Sequence, residues 1–412
     1  MNELQTRSWV SGRVSRLKPS ATLAVAAKAA AMRADGIDVL SFAAGEPDFD
    51  TPEAIKAAAV QSLGDGRTKY APVPGDVSTR ERLAQKLRDE NGLASVTADH
   101  IVITAGGKQA LQELMAAILD PGDEVLLPEP AWVSYRPQAE LAEATVVGIP
   151  TTAANDFKAS ANEIEAAITE RSKVLILNSP SNPCGTMYSE AELRAIAAVV
   201  ERHPQLLVIS DEIYEKLVFG ELAMFSIGSV DSIADRVITV NGLSKAYSMT
   251  GWRIGYLAGQ GETGLQIAAG VKKLQSQSTT AIPSFFFAAI ETAIDECDQD
   301  VEQMRLAFAK RGELMHGRLS SMAGVVCPKP TGAFYCFPDV SSYFGKRSKA
   351  GTEITDGQSF AEALLGDQHV ACVPGNAFGK GGEKCVRWSF ACSEAQILAG
   401  MDKLEAFLAS LA

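Results

Sequence analysis

The segment VITVNGLSKAYSMTGWRIGY, residues 237–256, begins as a run of apolar β-branched residues and continues into a lysine and an arginine set among small and aromatic residues. Its first part, VITV, predicts a buried strand. A lysine or arginine is usually a solvated surface residue. Lys245 and Arg253, however, have no carboxylate near them in the sequence. We therefore interpret them as two cations held in a site just beyond the end of a strand.

The composition around this segment is that of a globular protein with 412 residues, 46% of them hydrophobic and 21% charged, and a formal net charge of −12. This length accommodates two domains. The acidic balance and the lack of lysine or arginine runs argue against a nucleic-acid partner. No apolar run approaches the roughly 20 residues that span a bilayer. The start MNELQTRSWVSGR lacks the apolar core of a secretory signal, so we expect a cytoplasmic protein.

The cysteines indicate neither disulfides nor a metal site. They are seven in number, scattered, and without a CxxC pair: 184, 297, 327, 336, 372, 385 and 392. A disulfide framework or a zinc site would need paired spacings. We expect reduced thiols and no bound metal.

Short apolar runs alternate with helical patterns through the middle of the chain. The runs are IVIT (101–104), EVLLP (124–128), KVLIL (173–177) and LLVIS (206–210), in addition to VITV. Continuous Val, Ile and Leu runs between amphipathic helices are typical of a parallel sheet with helices on both faces. The sequence therefore predicts an α/β fold whose large domain contains a mostly parallel sheet sandwiched by helices.

The two ends of the chain predict a second, smaller domain. A long helical pattern from about residue 285 to residue 322 precedes short strand-like segments, GAFYCF, VACVP and CVRWSF. We assign residues 50–295 to the large domain. Residues 1–49 and 296–412 together are assigned to a smaller α+β domain.

Polar side chains follow three of the predicted strands. Asn178 and Asn182 come after KVLIL, Asp211 after LLVIS, and Lys245 after VITV. Any one of them alone would more often be a cap or turn residue. Since ligands bind in the crevice at the carboxyl ends of parallel strands, the three together predict a binding site.

The segment ITAGGKQAL adds a candidate phosphate site to the same edge. Gly106 and Gly107 lead from a strand into a helix that starts near Lys108, so free N–H groups and the positive end of a helix dipole face outward. The glycine pair is also compatible with a simple tight turn. Neither GxGxxG nor GxxxxGK[ST] is present, so a single phosphate is favoured over a nucleotide.

Pyridoxal 5'-phosphate requires each of these groups. Its aldehyde condenses with a lysine amine, which Lys245 can supply. Its ring nitrogen stays protonated beside a carboxylate, which Asp211 can supply. Its phenolic oxygen accepts hydrogen bonds, which Tyr214 and Asn182 can donate. Its phosphate is matched by the fork of Arg253. The lysine and the arginine of the opening segment thus hold two ends of one cofactor.

These residues also carry a family resemblance. NSPSNPCG, SDEIYE, SKAYSMTGWRIGY and CVRWSF resemble, in order and spacing, the motifs of class I aminotransferases of the fold-type I pyridoxal-phosphate family. KPSATLAVAAKA, SFAAGEPDFDTP, TKYAPVPG, ITAGGKQAL and PTGAFY narrow the resemblance to the bacterial-type aspartate aminotransferase subgroup. The similarity runs from about Leu17 to the last helix, nearly the whole chain.

The resemblance implies further roles around the cofactor. Lys245 would act as general acid and base in proton transfer. Trp132, in EPAWVSY, looks like the aromatic residue that stacks on the cofactor ring. Gly107 and Lys108 would begin the phosphate-binding helix. Tyr70, in TKYAPVPG, matches a tyrosine that reaches the phosphate of the neighbouring subunit, which implies a homodimer with shared active sites.

The substrate α-carboxylate is assigned to Arg387 by the same resemblance. Asn182 and the backbone of Gly45 would assist it. On pattern alone, Arg387 in CVRWSF could also be an exposed edge residue, although a bidentate fork suits a carboxylate. In the related subgroup, a side-chain carboxylate is met by three positions that correspond here to Ser20, Thr22 and Lys108.

A cation with hydroxyl donors is what a second carboxylate needs, so aspartate and 2-oxoglutarate are the leading substrates, with ping-pong half-reactions. The same residues are compatible with family members that transaminate prephenate with aspartate or glutamate as donor and make arogenate. Another pyridoxal-phosphate enzyme of the same fold, such as a lyase, stays an alternative because fold does not fix chemistry. A regulator that senses amino acids would need a DNA-binding domain, for which we see no room before Lys18.

Two positions depart from the family pattern. Cys184 stands in NPCG where threonine is usual, and Trp388 follows Arg387 where an aliphatic residue is common. Since Asn182 supplies the amide, we expect Cys184 to keep the turn. Alternation along a strand puts Trp388 on the side opposite Arg387, so we expect it to affect packing more than specificity.

Overall fold

The computed structural model describes residues 9–19 and 21–412. Ser20, one of the predicted substrate residues, lies outside the described residues. The strands are β1 (Leu40–Ser41), β2 (Ile101–Thr104), β3 (Glu124–Glu129), β4 (Thr145–Pro150), β5 (Ser172–Asn178), β6 (Leu207–Asp211), β7 (Val237–Gly242), β8 (Gly255–Ala258), β9 (Tyr335–Cys336), β10 (Val370–Ala371), β11 (Val373–Pro374) and β12 (Val386–Ser389).

The helices of the described residues are α1 (Gly12–Ser15), α2 (Ala21–Ala34), α3 (Glu53–Gly64), α4 (Val77–Asn91), α5 (Gly107–Ile118), α6 (Tyr135–Leu141), α7 (Ala161–Ala167), α8 (Glu190–Arg202), α9 (Gly261–Ser276), α10 (Phe287–Glu296), α11 (Asp298–Ser321), α12 (Gly357–Gln368) and α13 (Glu394–Ser410). The first residues of α8 show how side-chain hydrogen bonds fix the N-terminus of a helix. The Ser189 hydroxyl accepts the N–H of Glu192, whose carboxylate in turn accepts the N–H of Ser189, a capping box.

A seven-stranded sheet forms the centre of the molecule, in the order β2-β8-β7-β6-β5-β3-β4. Only β8 runs antiparallel to its neighbours, β7 and β2, so the predicted mostly parallel sheet is confirmed. The five predicted strands fall on β2, β3, β5, β6 and β7. In a parallel sheet the carboxyl ends of neighbouring strands meet at one edge, which places the ends of β5, β6 and β7 side by side.

Helices cover both faces of this sheet, as predicted. Side chains along a strand alternate between the two faces. In β3, Val125 and Leu127 pack against the apolar sides of α5 and α9. Leu126, between them, packs with residues of α7 and α8 on the opposite face. Because both faces are buried, these strands are apolar throughout rather than alternating.

Two smaller sheets join the two ends of the chain. Strands β11, β12 and β9 form an antiparallel sheet. Strand β1 pairs in parallel with β10, Leu40 opposite Val370, which attaches the N-terminal segment to the C-terminal part. The sequence-based domain boundaries stay a prediction.

Within residues 9–19 and 21–412, no helix is long and apolar enough to cross a membrane. The seven cysteines, which all lie in this part of the chain, are free thiols.

Candidate active site

A cavity of about 310 Å³ lies at the carboxyl edge of the large sheet, where β5, β6 and β7 end. This is the position at which parallel sheets bind ligands. The cavity brings together most of the residues predicted from the sequence: Thr22, Gly45, Gly107, Lys108, Trp132, Asn182, Asp211, Tyr214, Lys245, Arg253 and Arg387. It does not contain Tyr70.

Lys245 follows the end of β7 and is half-buried in the cavity wall. Its Nζ donates a hydrogen bond to the carbonyl oxygen of Gly45, 2.5 Å away. Burial lowers the pKa of Lys245 to about 8, Glu46 opposes this effect, and the cations Arg387 and Arg253 add to it. An amine with this pKa exchanges its proton near neutral pH, as a nucleophile and acid-base catalyst must.

Asp211 is the last residue of β6 and is buried. Its Oδ2 accepts a hydrogen bond of 2.6 Å from the Tyr135 hydroxyl. Its Oδ1 accepts one of 3.2 Å from the backbone N–H of Ile213. Burial raises the pKa of Asp211 to about 6, although both hydrogen bonds and the charge of Lys245 act in the opposite direction. Among the described residues, no cation lies within ion-pair distance of this carboxylate.

Arg387 lies in β12 and is buried, with 2% of its surface exposed. Its Nη1 donates to Asn182 Oδ1 at 3.0 Å and its Nη2 to the carbonyl oxygen of Ala43 at 2.8 Å. The guanidinium carbon stands 4.6 Å from the ring centre of Tyr335. Its Nε has no hydrogen-bond partner in the described structure. A buried guanidinium held only by neutral groups is suited to an anionic ligand.

Asn182 and Tyr214 are held by neighbouring polar groups. The N–H of Asn182 donates to Asn178 Oδ1 at 2.9 Å, which fixes the loop after β5. The hydroxyls of Tyr214 and Tyr335 are 3.1 Å apart. Burial raises the pKa of Tyr214 well above its usual value, so its hydroxyl stays neutral and keeps its proton as a donor.

Helix α5 begins at Gly107 and directs its N-terminal end towards Arg253. Gly106, just before it, has φ +82°, and a Cβ there would lie 2.6 Å from Arg253 Nη2. A Cβ on Gly255 would lie 2.3 Å from the backbone nitrogen of Gly107. Glycine at both positions therefore lets the helix start, the arginine and β8 approach closely. Free N–H groups beside a guanidinium form an anion site.

Arg253 itself adopts a left-handed backbone, with φ +56°. This conformation costs a residue with a Cβ of order 1 kcal/mol. Its Nη1 donates to the carbonyl oxygen of Thr250 at 2.9 Å, and its side chain is exposed in the single chain. The described residues include no carboxylate within ion-pair distance of it.

Lys108 and Trp132 line the cavity and lie against each other. The Nζ of Lys108 is 5.1 Å from the ring centre of Trp132, a cation–π arrangement. Burial, followed by the charge of Arg253, lowers the pKa of Lys108. Thr22, in α2, contributes to the same cavity together with its neighbour Leu23.

Tyr70 is 95% exposed and lies away from the cavity, beside a surface pocket formed with residues 279–285. The single chain therefore does not bring it to the site. Its predicted contact with a neighbouring subunit stays a prediction.

Four polar residues of the cavity are not predicted from the sequence: Tyr135, Ser244, Thr250 and Tyr335. Tyr135 lies in EPAWVSY, close to Trp132, and Tyr335 lies in PTGAFY. Both motifs carry the family resemblance, but the sequence alone assigns no role to either tyrosine. Ser244 directly precedes Lys245. The signal for Tyr135 is weak, because its bond to Asp211 joins residues 76 positions apart.

The two departures from the family pattern lie in the core. Cys184 is buried, and burial raises the pKa of its thiol strongly. Trp388 is fully buried, and its ring centre lies 5.0 Å from that of Phe42. Arg387 meets Asn182, whereas Trp388 packs against Phe42, so the two side chains have separate environments.

Comparison with known proteins gives consistent matches over the full chain. Residues 37–404 match the family model of class I and II aminotransferases. An aspartate/prephenate aminotransferase of Cereibacter sphaeroides is 42% identical over 406 residues, which cover 98% of this chain and 100% of the relative.

Two solved structures share the fold along their whole length. The crystal structure of an aspartate aminotransferase from Rhizobium meliloti has a TM-score of 0.94 and 37% identity, covering 98% of this chain and 100% of its own. An aspartate aminotransferase from Thermus thermophilus, solved with maleate, has a TM-score of 0.89 and 39% identity, covering 97% and 100%.

Proposed function

The chain belongs to the class I and II aminotransferases, and from this premise we propose that it transfers the amino group of L-aspartate to 2-oxoglutarate, giving oxaloacetate and L-glutamate by a ping-pong mechanism. The observation that carries the proposal is the cavity itself. It contains the buried guanidinium of Arg387 and the amine of Lys108, neither paired with a carboxylate among the described residues, together with Lys245. Two such cations suit a substrate with two carboxylates.

Class I aminotransferases are pyridoxal-phosphate enzymes, and the described residues fit this cofactor. Asp211 is a buried carboxylate whose pKa is raised to about 6, which a protonated ring nitrogen beside it would offset. The start of α5 and Arg253 form an anion site of the kind a phosphate needs. The cavity volume of about 310 Å³ is in the range of small-molecule sites.

We assign the cofactor contacts as follows. The backbone N–H groups of Gly107 and Lys108, together with the side chain of Arg253, would hold the phosphate, and Trp132 would stack on the ring. Asp211, Asn182 and Tyr214 would hold the ring nitrogen and the phenolic oxygen. When bound, the cofactor supplies an aldehyde that bonds to amines and a ring that draws electrons from the substrate Cα.

The remaining chemistry belongs to the chain's own side chains. Lys245 would take a proton from the substrate Cα at its Nζ and then donate that proton to the aldehyde-derived carbon of the cofactor, since its pKa of about 8 lets the amine work near neutral pH. Arg387 binds the α-carboxylate of the substrate. Asn182, which accepts a hydrogen bond from Arg387, and the backbone of Gly45 assist this binding. Tyr135 holds Asp211 in place through its 2.6 Å hydrogen bond.

The second carboxylate of the substrate is assigned to Lys108 and to Thr22, which lines the same cavity. Ser20, outside the described residues, remains part of this assignment from the sequence. The relative solved with maleate, a small dicarboxylate, supports a dicarboxylate preference in this family branch.

Prephenate is a second candidate acceptor, with arogenate as product. It is favoured by the relative from Cereibacter sphaeroides, whose name includes prephenate. Prephenate also carries a second carboxylate, which Lys108 could meet in the same way.

We further propose a cytoplasmic homodimer. Tyr70 supports the dimer, because a fully exposed tyrosine outside its own cavity is available to a partner's site. The seven free thiols support a reducing compartment.

The test is the visible absorption spectrum of the purified protein with bound cofactor. Addition of L-aspartate should bleach the band that marks the lysine-bound cofactor, and addition of 2-oxoglutarate should restore it. If L-aspartate leaves the band unchanged, the family assignment stands but aspartate is not the amino donor. Prephenate, added in place of 2-oxoglutarate, tests the second candidate by the same readout.

A further inference from the structure

The segment 43–51 contributes Gly45 to the cavity wall and contacts two of the cavity's cations through its backbone. The carbonyl oxygen of Ala43 accepts a hydrogen bond from Arg387 Nη2 at 2.8 Å. The carbonyl oxygen of Gly45 accepts one from Lys245 Nζ. The position of this short stretch therefore determines where both functional side chains point.

The same segment is fastened to residues 248–252, which adjoin the anion site. Thr51 Oγ1 donates to the carbonyl oxygen of Ser248 at 2.8 Å and accepts from Trp252 Nε1 at 3.0 Å. Closer to Lys245, the hydroxyl of Thr250 donates to Glu46 Oε2 at 2.8 Å. Thr250 lines the cavity, so the Glu46–Thr250 bond lies at its edge.

The exposed side chain of Glu46 carries the negative charge of segment 43–46. The charged groups that act on Lys245 are Glu46 and Asp211, which raise its pKa, and Arg387 and Arg253, which lower it. Of these four, Glu46 has the largest effect. Asp211 lies at the end of β6, whereas Glu46 lies in segment 43–46.

Two tyrosines complete the surroundings of this segment. Tyr214 and Tyr335 line the cavity, and the Tyr335 hydroxyl is 3.2 Å from where a Cβ on Gly45 would stand. Burial raises the pKa of both hydroxyls. They are neutral at physiological pH and cannot replace the charge of Glu46.

We propose that Glu46 is a positioning residue for amino transfer: hydrogen-bonded to Thr250, it fixes segment 43–46, whose carbonyl oxygens contact Lys245 and Arg387, and it gives this segment a negative charge. The inference deepens the proposed function, since it concerns the lysine assigned to proton transfer. The lysine must both release and regain a proton in each half-reaction. A carboxylate that opposes the two arginines keeps both forms accessible.

The test compares Glu46→Gln with Asp48→Asn in cofactor-free protein. Asp48 is a matched control, because it lies on the same segment, carries the same charge, and pairs with Arg311 at 2.7 Å instead of acting on Lys245. The protonation of Lys245 is measured as the pH dependence of its modification by an amine-reactive anhydride, quantified by mass spectrometry. Unfolding midpoints establish that each variant is folded.

Glu46→Gln should move the titration midpoint of Lys245 to lower pH, with a loss of proton affinity of about threefold or more, since a neighbouring negative charge is removed. Asp48→Asn should leave the midpoint where it is in the unchanged protein. The same midpoint for all three proteins would overturn the proposal. A shift of equal size in both variants would also overturn it, because the effect would then be one of net charge.

Thr250→Val separates the hydrogen bond from the charge and keeps the inference testable if Glu46→Gln fails to fold. It leaves Glu46 charged but free of its partner, so the midpoint should move in the same direction by a smaller amount. Thr250→Ser, which retains the hydroxyl, should restore it. A midpoint unchanged in Thr250→Val would refute the holding role. Because no readout uses aspartate, the inference and the substrate proposal fail independently.

Discussion

Asp211→Asn should have opposite effects on the cofactor-free and the cofactor-loaded protein. In the cofactor-free protein, Asp211 is buried and has no cationic partner among the described residues, and its pKa is raised to about 6 from an ordinary value of 3.8. A raised pKa for an acid means that the folded state disfavours the ionised form. Removal of that charge should therefore stabilise the fold.

The magnitude follows from the pKa difference. Between 3.8 and about 6, each pH unit corresponds to about 1.4 kcal/mol, so the full cost of ionised Asp211 is about 3 kcal/mol. Asparagine can still accept the N–H of Ile213 and can donate to the Tyr135 hydroxyl, though with altered geometry. We reduce the expected gain in unfolding free energy to roughly 2 kcal/mol.

The direction of the Asp211 pKa shift determines the pH range in which Asp211→Asn gains stability. Below pH 3.8 the carboxyl is neutral in both states, and the variant gains nothing. As the pH rises through 3.8 towards 6, the unfolded chain loses its proton before the folded protein does, so stability falls with pH. Above about pH 6 the cost is complete. The advantage of Asp211→Asn should thus grow between pH 4 and pH 6 and stay constant up to pH 8.

The assay is urea denaturation of cofactor-free protein and variant at pH 4.5, 6 and 8, with the difference in midpoint followed against pH. In the loaded enzyme the same variant cannot hold a charged ring nitrogen, and amino transfer should fall by about a hundredfold or more. Glu212→Gln is the matched control. Glu212 is a neighbouring buried carboxylate, its pKa is raised to about 7, and it does not line the cavity.

Glu212→Gln should change stability with pH in the same direction but leave cofactor affinity within about threefold. An Asp211→Asn protein that is destabilised equally at all three pH values would refute the reasoning, because the cost would then be one of lost contacts. A fall in amino transfer in Glu212→Gln to the same degree as in Asp211→Asn would refute the special role of Asp211.

Three further outcomes follow from the geometry. Arg387→Lys keeps the positive charge but loses one of the two hydrogen bonds to the α-carboxylate, a loss of about 1.5 to 3 kcal/mol. We therefore expect kcat/KM for all amino acids to fall by about ten- to hundredfold, with the cofactor spectrum unchanged. Lys108→Ala should abolish turnover of aspartate while turnover of alanine persists; equal loss of both would contradict the carboxylate role. Gly255→Ala puts a Cβ 2.3 Å from the Gly107 nitrogen, whereas Gly251→Ala has no atom within 4 Å, so only the former should lower the unfolding midpoint and weaken phosphate binding.

The buried strands were predictable because burial on both faces makes a sequence apolar throughout. IVIT coincides with β2, and the other four runs lie on β3, β5, β6 and β7. Strands β4 and β8 were not predicted. Strand β4 is at the edge of the sheet and half-exposed, with Gly148 and Pro150 in it. Strand β8 has four residues and begins with Gly255, which reads as a turn signal.

The site was predictable where one motif supplies one function, and less so where two distant segments meet. Lys245, Asp211 and Asn182 follow strands, and the topology alone brings strand ends together. The bond of Tyr135 to Asp211 and that of Lys245 to Gly45 join residues 76 and 200 positions apart. Such contacts depend on how segments that are distant in the chain pack together, which no local pattern encodes.

The distribution of charge in the cavity explains how bound ligands should stabilise the protein. The chain carries a formal net charge of −12, yet Lys108, Lys245, Arg253 and Arg387 line one cavity with no ion-pair partner among the described residues. Unpaired charges that are taken out of water oppose folding. A phosphate and two substrate carboxylates supply the missing negative charge, so the cost borne by the empty protein becomes binding energy when the ligands enter. Cofactor and dicarboxylate should accordingly raise the unfolding midpoint together by more than either does alone.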